Sequence, residues 1–107
     1  MSDESPATPE SSKIAIVGVG LIGGSVGLAA RKRIDAVGEV VGWDPAPGVL
    51  DEALKLGVIT RAAESPEDAA TGADLIVLAS PVATLAANAE RVLAVAGPDA
   101  VVTDVGS

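Results

Sequence analysis

The 107-residue chain contains no cysteine and no histidine. Without them it cannot form a disulfide or the usual zinc site built from Cys and His ligands. The absence of histidine also means that no side chain has an unperturbed pKa near neutrality, so the usual general base is missing. The absence of cysteine fits a reducing compartment, and we expect a cytoplasmic protein.

Aromatic residues are almost absent, since Trp43 is the single one among 107 residues. Hydrophobic residues nevertheless make up 49% of the chain, so the core must consist of small aliphatic side chains. That composition suits a parallel sheet buried between helices. The length allows one domain at most.

Positive charge is scarce, because 7 Lys and Arg face 15 Asp and Glu and the net charge is −8. Nucleic acids and anionic membranes need basic patches, so neither is an expected partner. The one basic cluster, Arg31–Arg33, falls at a predicted helix C-terminus, where cations complement the helix dipole. No apolar stretch reaches the ~18 residues of a membrane span, and the acidic N-terminus is unlike a signal peptide.

Residues 1–12 are rich in Ser, Pro and Glu and are predicted to form a disordered acidic tail. Residues 13–107 are predicted to form one domain in which strands and helices alternate. The predicted strands are Ile14–Val17, Gly38–Asp44, Val58–Arg61, Asp74–Ala79 and Ala100–Asp104. The predicted helices are Leu21–Arg33, Val49–Leu56 with Gly57 as its C-cap, Pro66–Ala70 and Pro81–Val95.

This alternation predicts βαβ units, hence an α/β fold with a parallel sheet. Five such strands predict the order 3-2-1-4-5, which is the start of a Rossmann-type doubly wound sheet. The sheet would be incomplete at its C-terminal edge, leaving Val101 and Val102 on an exposed strand.

The segment Gly18-Val19-Gly20-Leu21-Ile22-Gly23 matches the pattern G-x-G-x-x-G. The pattern alone is weak, but here it follows a predicted strand, opens a predicted helix and precedes an acidic residue. In such a loop Gly18 permits the turn, Gly20 lets a pyrophosphate approach the backbone, and Gly23 lets the helix pack on the sheet. The N–H groups at the helix start would bind the phosphates. The alternative is a glycine corner without a ligand.

Asp44 ends the second predicted strand. A carboxylate there can accept hydrogen bonds from the adenosine ribose and repel a 2′-phosphate, which favours NAD over NADP. Alternatively, Asp44 merely starts the Asp-Pro turn.

Two further segments lie where predicted strands end. Ser80-Pro81-Val82 is expected across from the glycine loop, facing the nicotinamide half of the cofactor. Alternatively, or at the same time, Ser80 caps the following helix with Pro81 in the first turn. The segment Thr103–Ser107 leaves the fifth strand on the same edge, where it is either substrate-facing or a plain turn.

Taken together, Ile16–Ser25, Gly42–Asp44, Ala73–Val82 and Thr103–Ser107 resemble the prephenate/arogenate dehydrogenases of tyrosine biosynthesis. The resemblance runs from Lys13 to Ser107, and its more specific parts are Gly23-Gly24-Ser25 and the closing Asp-Val-Gly-Ser. It implies NAD-dependent oxidative decarboxylation of a small substrate, prephenate, to 4-hydroxyphenylpyruvate, with arogenate as the alternative substrate.

The resemblance also implies residue roles. Gly18, Gly20, Leu21, Ile22, Gly23, Asp44, Ser80, Pro81 and Val82 would hold the cofactor. Ser107 would stand beside the substrate hydroxyl and a histidine that acts as base in the family. By the resemblance, that histidine would lie in a Gly-His-Pro segment beyond the end of this chain.

We therefore expect an N-terminal fragment of a prephenate dehydrogenase, inactive alone, with no chorismate mutase domain before Met1. The helical domain that makes the family dimeric is absent, so a homodimer is expected only of the longer protein. Two alternatives remain. One is a stand-alone NAD-binding or redox-sensing module without catalysis, and the other is a different small-substrate dehydrogenase of the same fold, of the β-hydroxyacid or pyrroline-carboxylate reductase type.

Overall fold

The computed structural model describes residues 13–22 and 38–104, with Leu21 and Ile22 described by their backbone alone. The strands are β1 (Lys13–Val17), β2 (Glu39–Trp43), β3 (Arg61–Ala62), β4 (Leu75–Leu78) and β5 (Val101–Asp104). The helices are α1 (Val19–Ile22, where the first described segment ends), α2 (Pro47–Leu56), α3 (Pro66–Ala70) and α4 (Val82–Val95). The predicted tail, most of the first predicted helix with Gly23 and the basic cluster, and Ser107 lie outside the described residues.

The five strands form one parallel sheet in the order β3-β2-β1-β4-β5, which confirms the predicted order and the Rossmann-type α/β class. Strand β1 is central, with Ala15 opposite Val41 of β2 on one side and Ile76 of β4 on the other. Parallel neighbours require crossover segments, and α2, α3 and α4 lie in those that follow β2, β3 and β4. The carboxyl ends of β1, β2 and β4 therefore meet at one edge of the sheet.

Each face of the sheet buries its own aliphatic cluster. The face under α3 and α4 carries Ala15, Val41 and Ile76, and the opposite face under α2 carries Ile16 and Val40, all at most 1% exposed. Alternate residues of β1 thus point to opposite faces, so the strand is buried on both sides as its continuous apolar run predicts. Trp43 packs at the rim of the first cluster.

The third strand was predicted at the wrong position. The structure starts it at Arg61 and not at Val58, because the N–H groups of Val58 and Ile59 donate to the carbonyl oxygen of Ala53 in α2, at 2.9 and 3.5 Å, and not to β2. At Thr60 the hydroxyl accepts from the Val40 N–H at 2.9 Å in place of a backbone carbonyl, while the Thr60 N–H donates to the Val40 carbonyl oxygen at 2.7 Å. The predicted C-cap is confirmed, with Gly57 in the left-handed region at φ 75°.

An ion pair joins α3 to α4. The guanidinium of Arg91 donates two hydrogen bonds to the carboxylate of Glu67, at 2.8 and 2.7 Å. This contact lowers the pKa of Glu67 below its ordinary value of 4.5 and raises the pKa of Arg91. Stability from a carboxyl with a lowered pKa is present in full above its unfolded pKa and is lost as the pH falls through the folded pKa.

Replacing Glu67 with Gln should therefore lower the melting temperature at pH 7, and the difference from the unchanged chain should shrink as the pH falls below 4.5. The shift should be small because exposed ion pairs contribute little. Glu90→Gln is the matched control, since Glu90 is exposed on α4 and forms no ion pair within the described part of the chain. A Glu67→Gln deficit that stays constant from pH 7 into acid would contradict this account.

Candidate functional site

A cleft of about 340 Å³ opens at the edge where β1, β2 and β4 end. Its walls come from three segments: Gly18 and Gly20 after β1, Trp43–Pro45 at the end of β2, and Ser80, Pro81, Thr84 and Asn88 at the start of α4. Such a volume is typical of small-molecule sites, and in open α/β sheets ligands bind at this edge between the two halves of the sheet.

The backbone of Gly18 contacts both of the other segments that form the cleft wall. Its φ is +102°, and a Cβ built on it would lie 2.8 Å from the carbonyl carbon of Ala79 and from the amide nitrogen of Ser80. Its N–H donates to the carbonyl oxygen of Trp43 at 2.8 Å. The backbone therefore makes the sharp turn predicted for this position, in a space that no side chain can enter.

Asp44 binds the second glycine of the loop. Its Oδ2 accepts from the Gly20 N–H at 2.8 Å, and its Oδ1 accepts from the Ala46 N–H at 2.9 Å. Asp44 therefore starts the Asp-Pro turn and faces the glycine loop at the same time, and its hydrogen bond to a ribose stays a prediction. Each carboxylate oxygen keeps a further lone pair for a ligand hydroxyl.

Ser80 and Pro81 line the same cleft as Gly18 and Gly20, and the backbone of Ser80 lies directly against Gly18. The alternative in which Ser80 caps the helix is wrong, because the N-cap of α4 is Pro81 and no side chain caps it. The Ser80 hydroxyl, on a residue 2% exposed, instead accepts from the Asn88 carboxamide at 2.7 Å. Val82 is 71% exposed and is not part of the cleft wall.

Sequence reasoning missed Thr84 and Asn88. Both are polar residues in the otherwise aliphatic first half of α4, and their spacing of four places them on one helical face. This spacing was the available signal, but an alanine-rich helix with two polar positions also fits an ordinary solvated face. Only the fold brings that face to the ends of β1 and β2.

The end of β5 is not part of this cleft. Thr103 and Asp104 are exposed, and neither lines the cleft wall. Val101 is 59% exposed on this edge strand, while Val102 packs partly against the core. Ser107, predicted to face the substrate, lies outside the described residues.

The described segments contain neither a cluster of metal ligands nor a membrane-spanning helix. Within residues 13–22 and 38–104 no three His, Cys, Asp or Glu side chains gather in a way that could hold a metal ion. Across the same residues no helix has both the length and the apolar character to cross a membrane.

The family model described as the nucleotide-binding domain of prephenate dehydrogenase matches residues 26–107. Prephenate dehydrogenase of Bacillus subtilis is 36% identical over 96 residues, which are 88% of this chain and 25% of that protein. Malate dehydrogenase of Xanthobacter autotrophicus is 37% identical over 81 residues, 67% of this chain and 25% of that protein. The chain thus spans about a quarter of the length of these relatives.

Solved structures show the same likeness. Prephenate dehydrogenase of Aquifex aeolicus, in complex with hydroxyphenyl propionate and NAD+, superposes with a TM-score of 0.75 at 34% identity. The match covers 90% of this chain and 34% of that one. Arogenate dehydrogenase of Synechocystis gives a TM-score of 0.73 at 28% identity, covering 87% of this chain and 32% of the other.

Proposed function

The chain belongs to the prephenate dehydrogenase family, whose nucleotide-binding domain it matches, and from this premise we propose that it is the NAD-binding part of an enzyme that oxidatively decarboxylates prephenate to 4-hydroxyphenylpyruvate. The observation that carries the proposal is the contact between Asp44 and Gly20 beside a turn at Gly18 that admits no Cβ. Such a cradle fits a dinucleotide, because its pyrophosphate needs bare backbone and its ribose needs an acceptor.

The residues of the cleft then have separate tasks. The glycine loop from Gly18 to Gly23, through Leu21 and Ile22, is the proposed pyrophosphate site, and its donors are the N–H groups after Gly20, because the N–H of Gly18 is bonded to Trp43 and that of Gly20 to Asp44. Asp44 accepts hydrogen bonds from the adenosine ribose. Ser80 and Pro81 line the same cleft, and we propose that they face the nicotinamide half of the cofactor. When bound, the nicotinamide ring supplies the hydride acceptor.

Asp44 gives the proposal its cofactor preference. Its negative charge should repel the 2′-phosphate of NADP, so Asp44→Ala is expected to lower the ratio of NAD+ to NADP+ affinity by about tenfold or more. Titration followed by Trp43 fluorescence measures both affinities, since Trp43 lines the cleft and is the sole aromatic residue. Asp44→Asn keeps an acceptor oxygen without the charge and should shift the ratio in the same direction.

The matched control is Asp51→Ala, which removes an exposed carboxylate from α2 away from the cleft wall. It should leave the ratio unchanged. If Asp44→Ala and Asp44→Asn fold normally and keep the original ratio, the role given to Asp44 is wrong.

We propose that the residues that act on the substrate lie in the rest of the enzyme. This chain has no histidine, and it spans about a quarter of the Bacillus relative. We place Ser107 beside the substrate hydroxyl and a base supplied from beyond it, and we expect residues 13–107 alone to bind cofactor without turnover. Homodimer formation and a cytoplasmic location are part of the same proposal for the longer protein.

The malate dehydrogenase has about the same sequence identity to this chain as the Bacillus relative, and this supports a second candidate function. That function is a dehydrogenase for another small acid. Turnover by the longer protein decides between them. Release of CO2 from prephenate or arogenate with reduction of NAD+ supports the proposal, and oxidation of malate without CO2 release supports the alternative. If none of these substrates supports the reduction of NAD+, a binding module without catalysis is favoured.

A further inference from the structure

The wall of the cleft contains a buried carboxamide. Asn88 is the single Asn or Gln among the 107 residues, and it is only 7% exposed although it lines the cleft. Its Nδ2 donates to the hydroxyl of Ser80 at 2.7 Å. Its carboxamide oxygen accepts no hydrogen bond from the described residues. The fold therefore leaves one buried acceptor beside a cavity of about 340 Å³.

The fold itself does not require a carboxamide at this position. Asn88 lies inside α4, where alanine is more favourable than asparagine, and a buried acceptor without a partner destabilises the folded state. One turn further along the same face of the helix, Val92 is fully buried in the aliphatic core. An aliphatic residue at position 88 would extend that contact. A polar group with both of these costs is expected where a ligand completes its hydrogen bonds.

Ser80 fixes the orientation of this carboxamide. Ser80 is 2% exposed, and its backbone lies directly against Gly18, so the edge of the sheet holds it in place. Because its hydroxyl binds the amide nitrogen of Asn88, the amide oxygen is the end that remains for a ligand. A site with such a fixed acceptor binds ligands that carry a donor and rejects analogues that lack it.

The rest of the cleft wall indicates the kind of donor. Trp43, Pro45 and Pro81 contribute apolar rings to it, and flat heteroaromatic rings stack on such surfaces. The ribose hydroxyls of the proposed cofactor have an acceptor in Asp44, at the end of β2. The adenine and the nicotinamide of a dinucleotide each carry an NH2 group, and such a group matches an oxygen acceptor beside apolar rings.

We propose that the carboxamide oxygen of Asn88 accepts a hydrogen bond from an NH2 group of the dinucleotide. The inference rests on the proposed function, since it takes the dinucleotide as the ligand of the cleft. Adenine carries the group on its ring and nicotinamide carries it in its carboxamide, so both present the same donor. Asn88 is thereby a specificity-determining residue, which favours a cofactor with this NH2 group over an analogue without it.

Two analogues of NAD+ distinguish the two donors. In the first, purine replaces adenine, so that a hydrogen atom stands in place of the 6-amino group. In the second, 3-acetylpyridine replaces nicotinamide, so that a methyl group stands in place of the amide NH2. The unchanged chain, titrated with Trp43 fluorescence as the signal, should bind one of these analogues about tenfold more weakly than NAD+. Weaker binding of the purine analogue identifies adenine as the donor, and weaker binding of the acetylpyridine analogue identifies nicotinamide.

Two variants then remove the acceptor. Asn88→Leu fills its space with apolar atoms, and Asn88→Ala leaves the space open. Both should bind NAD+ about tenfold more weakly, and both should reduce the difference between NAD+ and the discriminated analogue to about twofold or less. Glu90→Gln on the exposed side of α4 is the control and should keep the full difference. Urea unfolding of each variant ensures that every titration is made on folded protein.

A purely structural role for Asn88 gives a different result. Its variants would then weaken the binding of NAD+ and of both analogues by the same factor, and this outcome overturns the inference. The inference is also overturned if the unchanged chain binds both analogues as tightly as NAD+. Failure of the unchanged chain to bind NAD+ would instead overturn the proposed function.

Discussion

Replacing Gly18 with Ala is expected to abolish cofactor binding and to destabilise the fold by about 3 kcal/mol or more. The added Cβ would lie 2.8 Å from two backbone atoms, at Ala79 and Ser80, and backbone atoms can move only if β1 and β4 separate. A non-glycine residue at φ +102° adds strain of about 1–3 kcal/mol. Typical domains are stable by only about 5–15 kcal/mol, so the loss should be visible in urea unfolding.

Gly97→Ala is the matched control for this experiment. A Cβ at Gly97 has nothing within 4 Å, and its φ lies outside the left-handed region. The control should unfold within about 0.5 kcal/mol of the unchanged chain, as surface substitutions usually do. A Gly18→Ala chain with normal stability and normal NAD+ affinity would show that the close approach after β1 is not required.

Gly42→Ala should have the second-largest effect, about 1–3 kcal/mol of stability from overpacking. Its Cβ would lie 2.7 Å from Val19 Cγ2 and 2.8 Å from Ile59 Cγ2. Both side chains are buried and branched, so neither can swing aside into solvent. Because Val19 is the first residue of α1, its displacement should also weaken NAD+ binding.

Gly48→Ala is the control for Gly42, since a Cβ there meets nothing within 4 Å on helix α2. Alanine favours a helix over glycine by up to about 1 kcal/mol, so this variant should unfold at the same or a higher urea concentration. If both variants unfold alike, the packing of α1 against β2 is looser than the distances indicate.

The structural features that depend on neighbouring residues could be predicted from the sequence. Continuous apolar runs gave four strands within one or two residues of their bounds, and the alternation with helices gave the sheet order. The turn at Gly18 and the position of Asp44 at the end of β2 also follow from local pattern. These features depend on residues close in sequence, so no knowledge of distant contacts is needed.

The features that sequence did not reveal depend on partners far along the chain. Just before the third strand, the N–H of Val40 bonds to the hydroxyl of Thr60 in place of a backbone carbonyl, although the Thr60 N–H still bonds to the Val40 carbonyl oxygen. Ser80 fails to cap α4 because Asn88, eight residues on, takes its hydroxyl. In each case a side-chain hydrogen bond replaced the backbone arrangement that local propensity favours, and a propensity argument does not include such bonds.

The measurement that tests the central claim most directly is a titration of the 107-residue chain with NAD+ and with NADP+, followed by Trp43 fluorescence. Circular dichroism on the same sample establishes that the chain is folded. The account predicts saturable binding of NAD+, weaker binding of NADP+, and loss of both signals in Gly18→Ala. A folded chain whose fluorescence responds to neither dinucleotide would contradict the assignment of the cleft as a dinucleotide site.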